Sequence, residues 1–196
     1  LLALSAEHLP DNKVKSDLRR SAIVMAIAGI DAYMHWLIYS RISELRSEGD
    51  LPKSMSRLDV PLTDLAALAD ATLDGRRREV DTRPWVQVKH AMQKRLLKET
   101  LQSFDQVATG FAWAGVEKAW SRVATELGCS VDDIRTRLNR IVQRRNQIVH
   151  EGDIVRALRP RKLSYNEVDH DSVAADIDWI EELLTAMSDV VAAGNP

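Results

Sequence analysis

Apolar positions recur at three-to-four spacing along nearly the whole chain, a pattern that predicts helices and no sheet. Pro10 and Asp11 open a long segment reaching about Glu48, where Gly49, Asp50 and Pro52 stop it. As one helix it would run about 55 Å at 1.5 Å per residue. A compact domain of this size is roughly 40 Å across, so the helix should project or bend near Gly29. Its middle, Ala22 to Met34, is apolar on every side except Asp31, as in a central, buried helix. A second helix is expected from Thr63, a cap after Pro61, to Asp74, ended by Gly75. A third follows Pro84 to about Gln102, and a fourth carries Trp113, Val116, Trp120, Val123 and Leu127 up to Gly128. Ser130 with Asp133 reads as an acidic variant of the capping box. The helix it starts holds Ile134, Leu138, Ile141, Val142, Ile148 and Val149 and ends near Gly152. A last helix from about Asp171 carries Val173, Ile177, Ile180, Leu184, Met187 and Val191. Arg156 to Glu167 is the main irregular stretch. The expectation is an all-α bundle of five to six helices forming one domain over residues 1–196, either whole or as a piece of a longer chain.

Composition narrows the class. At 196 residues and 22.1 kDa the chain can bury roughly 70% of its unfolded surface, enough for a core without staples. The single cysteine, Cys129, excludes an internal disulfide framework and a multi-cysteine zinc site, and its place after Gly128 suggests a buried or semi-buried, inert thiol. The longest uncharged apolar run, Ala22 to Ile30, falls far short of the roughly 20 residues of a membrane span. No basic stretch leads into an apolar one at the start. A cytoplasmic protein without membrane contact is expected. The tryptophans lie mostly on apolar stripes and read as core.

Net charge is only −2, but it is unevenly spread. Arg76 to Lys98 carries net +6 and Arg135 to Lys162 net +7, in an otherwise acidic chain. Such blocks can form a local anion-binding surface, or be ordinary solvated helix faces. Phosphate loops, nucleophile elbows and HExxH are absent, and the five histidines have no paired metal spacing. Neither a metal nor a cofactor is expected.

One segment concentrates the candidate chemistry: Arg144-Arg145-Asn146-Gln147-Ile148-Val149-His150-Glu151-Gly152-Asp153. On a helix Asn146 and His150 share a face, whereas Arg145 points about 140° away from His150, toward the direction of Leu138, Val142 and Val149. An arginine aimed at an apolar face needs an anion or an interface. The bland alternative is an arginine snorkelling along the surface, with His150 a polar helix-end residue.

Arg145-Asn146-Gln147-Ile148-Val149-His150 resembles the RNxxxH form of the Rx4–6H signature of HEPN domains, named for nucleotide binding in higher eukaryotes and prokaryotes. The likeness is to the RiboL-PSP branch. It extends over the Leu18–Ile42 segment with Asp31-Ala-Tyr, the Trp113–Trp120 segment, Arg145–Asp153 and the terminal helix with Asp178-Trp-Ile. The resemblance implies a helical bundle that dimerises with its signature helices facing one another. It implies a metal-independent endoribonuclease, often a toxin with an antitoxin partner or an antiviral defence effector, or else a module that has lost activity and binds RNA, a nucleotide or a protein. Arg145 and His150 would form the catalytic pair, with Asn146 at the frequent polar position between them.

The residue types suit that chemistry. Metal-free RNA cleavage uses the ribose 2′-OH as nucleophile and needs proton transfer near neutral pH, which histidine provides. It also needs a cation for the phosphorane, for which the arginine fork is matched. Asn146 could orient His150 from one turn away. Asp31, an acid in a buried helix, needs a partner: Arg145 or His150 if it supports the site, His35 or a backbone donor if not. Arg144, Arg76, Arg77, Arg78, Arg156, Arg159 and Arg161 are candidates for holding RNA phosphates. The expected partners are an RNA substrate, a second copy of the chain, and an antitoxin or fused domain.

Overall fold

The computed structural model describes residues 1–6, 12–48, 52–77, 84–155 and 164–194. Among these the protein is all-helical, with α1 (Leu2–Ala6), α2 (Asn12–Glu48), a 3-10 turn (Met55–Arg57), α3 (Leu62–Arg77), α4 (Pro84–Leu96), α5 (Phe104–Trp113), α6 (Ala119–Leu127), α7 (Val131–Glu151) and α8 (His170–Ala192). That exceeds the five to six expected. A short α1 is added, and the expected fourth helix falls into α5 and α6. Gly115, with φ +74°, turns the chain between them where a helix would need negative φ.

α2 is continuous through Gly29 and forms the axis of the bundle. α1, α4, α5, α7 and α8 all pack against it, while α6 fills between α7 and α8 and α3 lies on α4. Ile23, Ile27, Ile30, Met34 and Ile38 of α2 meet Phe111, Leu138, Ile141, Leu183 and Met187 in one continuous core. By length and apolarity Asn12–Ile42 would suffice to cross a bilayer, because Asp31 is its only charge between Ala22 and Ser40; that segment instead supplies the core's central row. It is not buried all round as expected. Met25 and Trp36 stand 63% and 61% exposed, on a face that no helix covers among the described residues. Trp36 is thus a surface residue, whereas Trp120 and Trp179 are core.

Boundaries shift where packing overrides local signals. α3 runs through Gly75, which is buried within the helix rather than ending it. α4 stops at Leu96, and Leu101 and Gln102 enter the core from the link to α5. The cap of α7 is as expected: Ser130 Oγ accepts from Asp133 N–H (3.1 Å) and the Asp133 carboxylate accepts from Ser130 N–H (3.0 Å). Gly152, at φ +62°, ends α7 in the left-handed region. Cys129 is exposed rather than buried, on the turn before that cap. Slight burial and the nearby Asp133 charge push its thiol up, which disfavours the thiolate.

Candidate active site

The last two turns of α7 carry the signature residues, and the fold treats its arginines unequally. Arg135 pairs with Asp132 (2.7 Å) and lies over the Phe104 ring, whose other neighbour is the stacked Trp120. Arg137 donates to the Ala175 carbonyl (2.8 Å) and covers the Trp179 ring. Arg140 forks onto the buried Asp176 of α8. Arg144 forks onto Asp153, with a longer bond to the Glu167 carbonyl. These four hold α7 to its neighbours.

Arg145 differs. Its guanidinium donates to Asn146 Oδ1 (3.0 Å), its Nε is buried without a hydrogen-bond partner, and among the described residues no carboxylate pairs with it. A half-satisfied guanidinium on a partly buried face retains its affinity for an anion. His150 is exposed in the last turn, and Val149 beside it is 45% exposed. Asn146 therefore engages Arg145 rather than His150. Neither Arg145 nor His150 lines the cleft between the start of α2 and residues 165–169, which reaches α7 at Gly152.

What fixes this end of α7 is a buried carboxylate that sequence reasoning did not single out. Asp153, 1% exposed, receives the Arg144 fork, Arg20 Nε from α2 (2.6 Å) and Asn166 Nδ2 (3.1 Å). It sits just past the helix at φ +57°, a left-handed conformation that aspartate tolerates better than most residues. Its N–H donates to the Gln147 carbonyl (3.1 Å), and its carbonyl accepts from Asn166 N–H (2.8 Å). Burial pushes the Asp153 carboxyl up; hydrogen bonds from Arg144, Arg20 and Asn166, with the Arg144 charge, outweigh it and hold the group below the ordinary carboxylate range. The signal in the sequence was the acid directly after the helix-ending Gly152, nine residues from Arg144. Its partners lie 133 and 13 residues away along the chain, which no spacing rule reaches.

Arg144, expected among RNA-holding residues, is thus committed to the fold. Asp31 is likewise not drawn to Arg145 or His150. It accepts from Leu101 N–H (2.6 Å) and lies 3.9 Å from His35, where it fixes the link between α4 and α5. Arg76 and Arg77 are exposed on the last turn of α3, an element packed on α4 rather than brought to α7. Arg78, Arg156, Arg159 and Arg161 lie outside the described residues. The apolar stripe of the signature helix, Ile134, Leu138, Ile141 and Val142, faces the chain's own core. Among the described residues no three His, Cys, Asp or Glu side chains gather at metal-binding range.

The family model of RiboL-PSP-HEPN matches residues 1–193. The chain belongs to the RiboL-PSP-HEPN family. Individual curated proteins and solved structures give no match. As a HEPN-type domain the protein is, in general terms, a nuclease or RNA-binding module built as a helical bundle.

Proposed function

We propose that this HEPN protein is a metal-independent endoribonuclease working in the cytoplasm, with Arg145 and His150 as the catalytic pair. The observation that carries the reading is Arg145: among the described residues it is the one arginine of the five on α7 with no carboxylate or main-chain carbonyl to serve, its Nε is buried and unpartnered, and His150, five residues on, is exposed. An arginine kept in this state is suited to a phosphate brought in with a substrate.

The chemistry follows from these groups. An imidazole removes the proton of a ribose 2′-OH, the 2′-oxygen attacks the adjacent phosphorus, and the 5′-oxygen leaves with a proton from a second imidazole. The products are a 2′,3′-cyclic phosphate and a 5′-OH. Arg145 holds the charge that builds on the phosphorane oxygens. Asn146 steadies Arg145 through its Oδ1. Because Arg145 and His150 point apart on one helix and share no closed pocket, the complete site is composite, with a second copy supplying the other pair. Its interface is the exposed end of α7 around Val149 rather than the internal stripe.

The test is cleavage of a labelled single-stranded RNA in EDTA. Wild-type protein should cut and leave cyclic phosphate ends. His150→Ala should lose about 10²–10⁴-fold in rate and Arg145→Ala about 10²–10³-fold, both with the helical spectrum retained. Binding without cleavage by all three proteins would mean a binding module instead. Cleavage that requires magnesium and leaves 5′-phosphates would refute the mechanism. Growth arrest on expression of wild type, relieved by either substitution, would place the activity in a toxin or defence setting.

A further inference from the structure

A cleft of about 760 Å³ opens between the first turns of α2 and the extended segment 164–169, and it touches α7 at Gly152. Tyr165 stands in it, 66% exposed. The backbone sets the position of this ring. Tyr165 forms an antiparallel bridge with Ile154, flanked by Val155 N–H to the Ser164 carbonyl and Asn166 N–H to the Asp153 carbonyl, both 2.8 Å. It therefore lies opposite a residue only four beyond His150.

The ring is also backed. The Arg20 guanidinium carbon lies 5.4 Å from its centroid, and that guanidinium is clamped by Asp153, the Asn166 carbonyl (2.8 Å) and Asp17 (3.1 Å). A cation fixed behind one face of an exposed aromatic leaves a preorganised platform on the other. The walls are close to charge balance: Lys13, Lys15, Arg19 and Arg20 face Asp17, Glu167 and Asp169, and Arg20 is also tied to the buried Asp153. Asp169 is occupied in capping α8 at Ser172 N–H (2.8 Å), and Arg19 donates to the Val168 carbonyl while its Nε is buried without a partner. A balanced wall does not concentrate phosphate. A flat, neutral heterocycle with polar edges fits it better.

We infer that this cleft seats one unpaired nucleobase of the RNA next to the cleavage point, stacked on Tyr165. The inference rests on the ribonuclease reading and makes Tyr165 a substrate-positioning residue. Stacking is indifferent to base identity because every base has a π-face, so the cleft favours single strands over duplexes without choosing a sequence.

The experiment measures binding of oligouridine and oligoadenosine twelve-mers to full-length His150→Ala protein, and cleavage kinetics in the His150 background. Tyr165→Ala should weaken both oligomers by roughly 5- to 100-fold, as for loss of one stacked base. Tyr165→Phe should bind as the parent does, since the ring and not the hydroxyl is required. In the active protein Tyr165→Ala should raise KM and leave kcat at saturating RNA unchanged. Melting temperatures of the variants check that the bridge to Ile154 survives. Cleavage with unchanged KM in Tyr165→Ala would overturn this inference and leave the ribonuclease standing. Equal loss in Tyr165→Phe would overturn stacking in favour of a hydroxyl contact. A wild-type protein that neither binds nor cuts RNA would remove the functional reading and this inference together.

Discussion

Asp153 is the residue on which the geometry of the signature helix depends, through Arg20 and Arg144. Removing its charge leaves two partly buried guanidiniums facing a neutral amide. Asp153→Asn should therefore cost on the order of 3 kcal/mol of stability at pH 7, measured by denaturant unfolding. Because the folded carboxyl titrates below its unfolded value, its contribution is complete above the unfolded pKa of about 4 and is lost as pH falls through the folded one. Wild type should weaken on acidification below about pH 4, and Asp153→Asn should show a flatter acid limb. Cleavage by this variant should fall too, because the end of α7 bearing His150 loses its anchor to α2. At the same scale Asn146→Ala removes the acceptor that the Arg145 guanidinium uses among the described residues. It should reduce cleavage less than Arg145→Ala does, since the charge that meets the phosphorane remains.

At the scale of elements, α7 is defined by its two ends and by the turn that feeds α6 ahead of it. Ser130→Ala removes the reciprocal cap with Asp133 and should destabilise the protein by about 1 kcal/mol. Gly115 separates α5 from α6 at φ +74°, and an added Cβ would stand 2.9 Å from Pro52 Cγ. Gly115→Ala should cost about 1–2 kcal/mol for the left-handed backbone alone, with a further loss unless Pro52 moves. Thermal unfolding followed by circular dichroism separates these effects from those at the site, because neither residue touches Arg145 or His150. Among its arginines, Arg135, Arg137 and Arg140 tie α7 to Phe104 and α8. Their neutralisation should lower stability and leave the salt dependence of RNA binding nearly unchanged.

For the whole molecule, a second copy joining through a standard interface would cover about 800 Å² of each partner. The composite site predicts that cleavage per chain falls on dilution as the dimer dissociates. Light scattering should report twice the chain mass at concentrations where the protein is active. A fully active monomer would exclude a shared site. Val149→Asp, at the exposed end of α7, should weaken association without unfolding the chain, since Val149 is 45% exposed.

The sequence by itself determined the helical class, most of the helix positions, the Ser130 and Gly152 ends of α7, and the family to which the chain belongs. These are local properties: periodicity, capping chemistry and a short motif are written within a few turns. It also placed Arg145, Asn146 and His150 on one helix end, because 3.6 residues per turn needs no partner to compute. What tertiary structure decided is which charges remain uncommitted. Arg144 and Arg145 are adjacent and chemically identical, yet one is bound to Asp153 and the other is not. Asp31 was a candidate for the site until the chain folded Leu101 against it, 70 residues on. Met25 and Trp36 belong to the most apolar stretch of the sequence and are exposed, because the number of helices around α2 is set by the rest of the chain. An ion pair or a covered face is a property of two segments at once, and periodicity along one segment carries no information about which other segment arrives there.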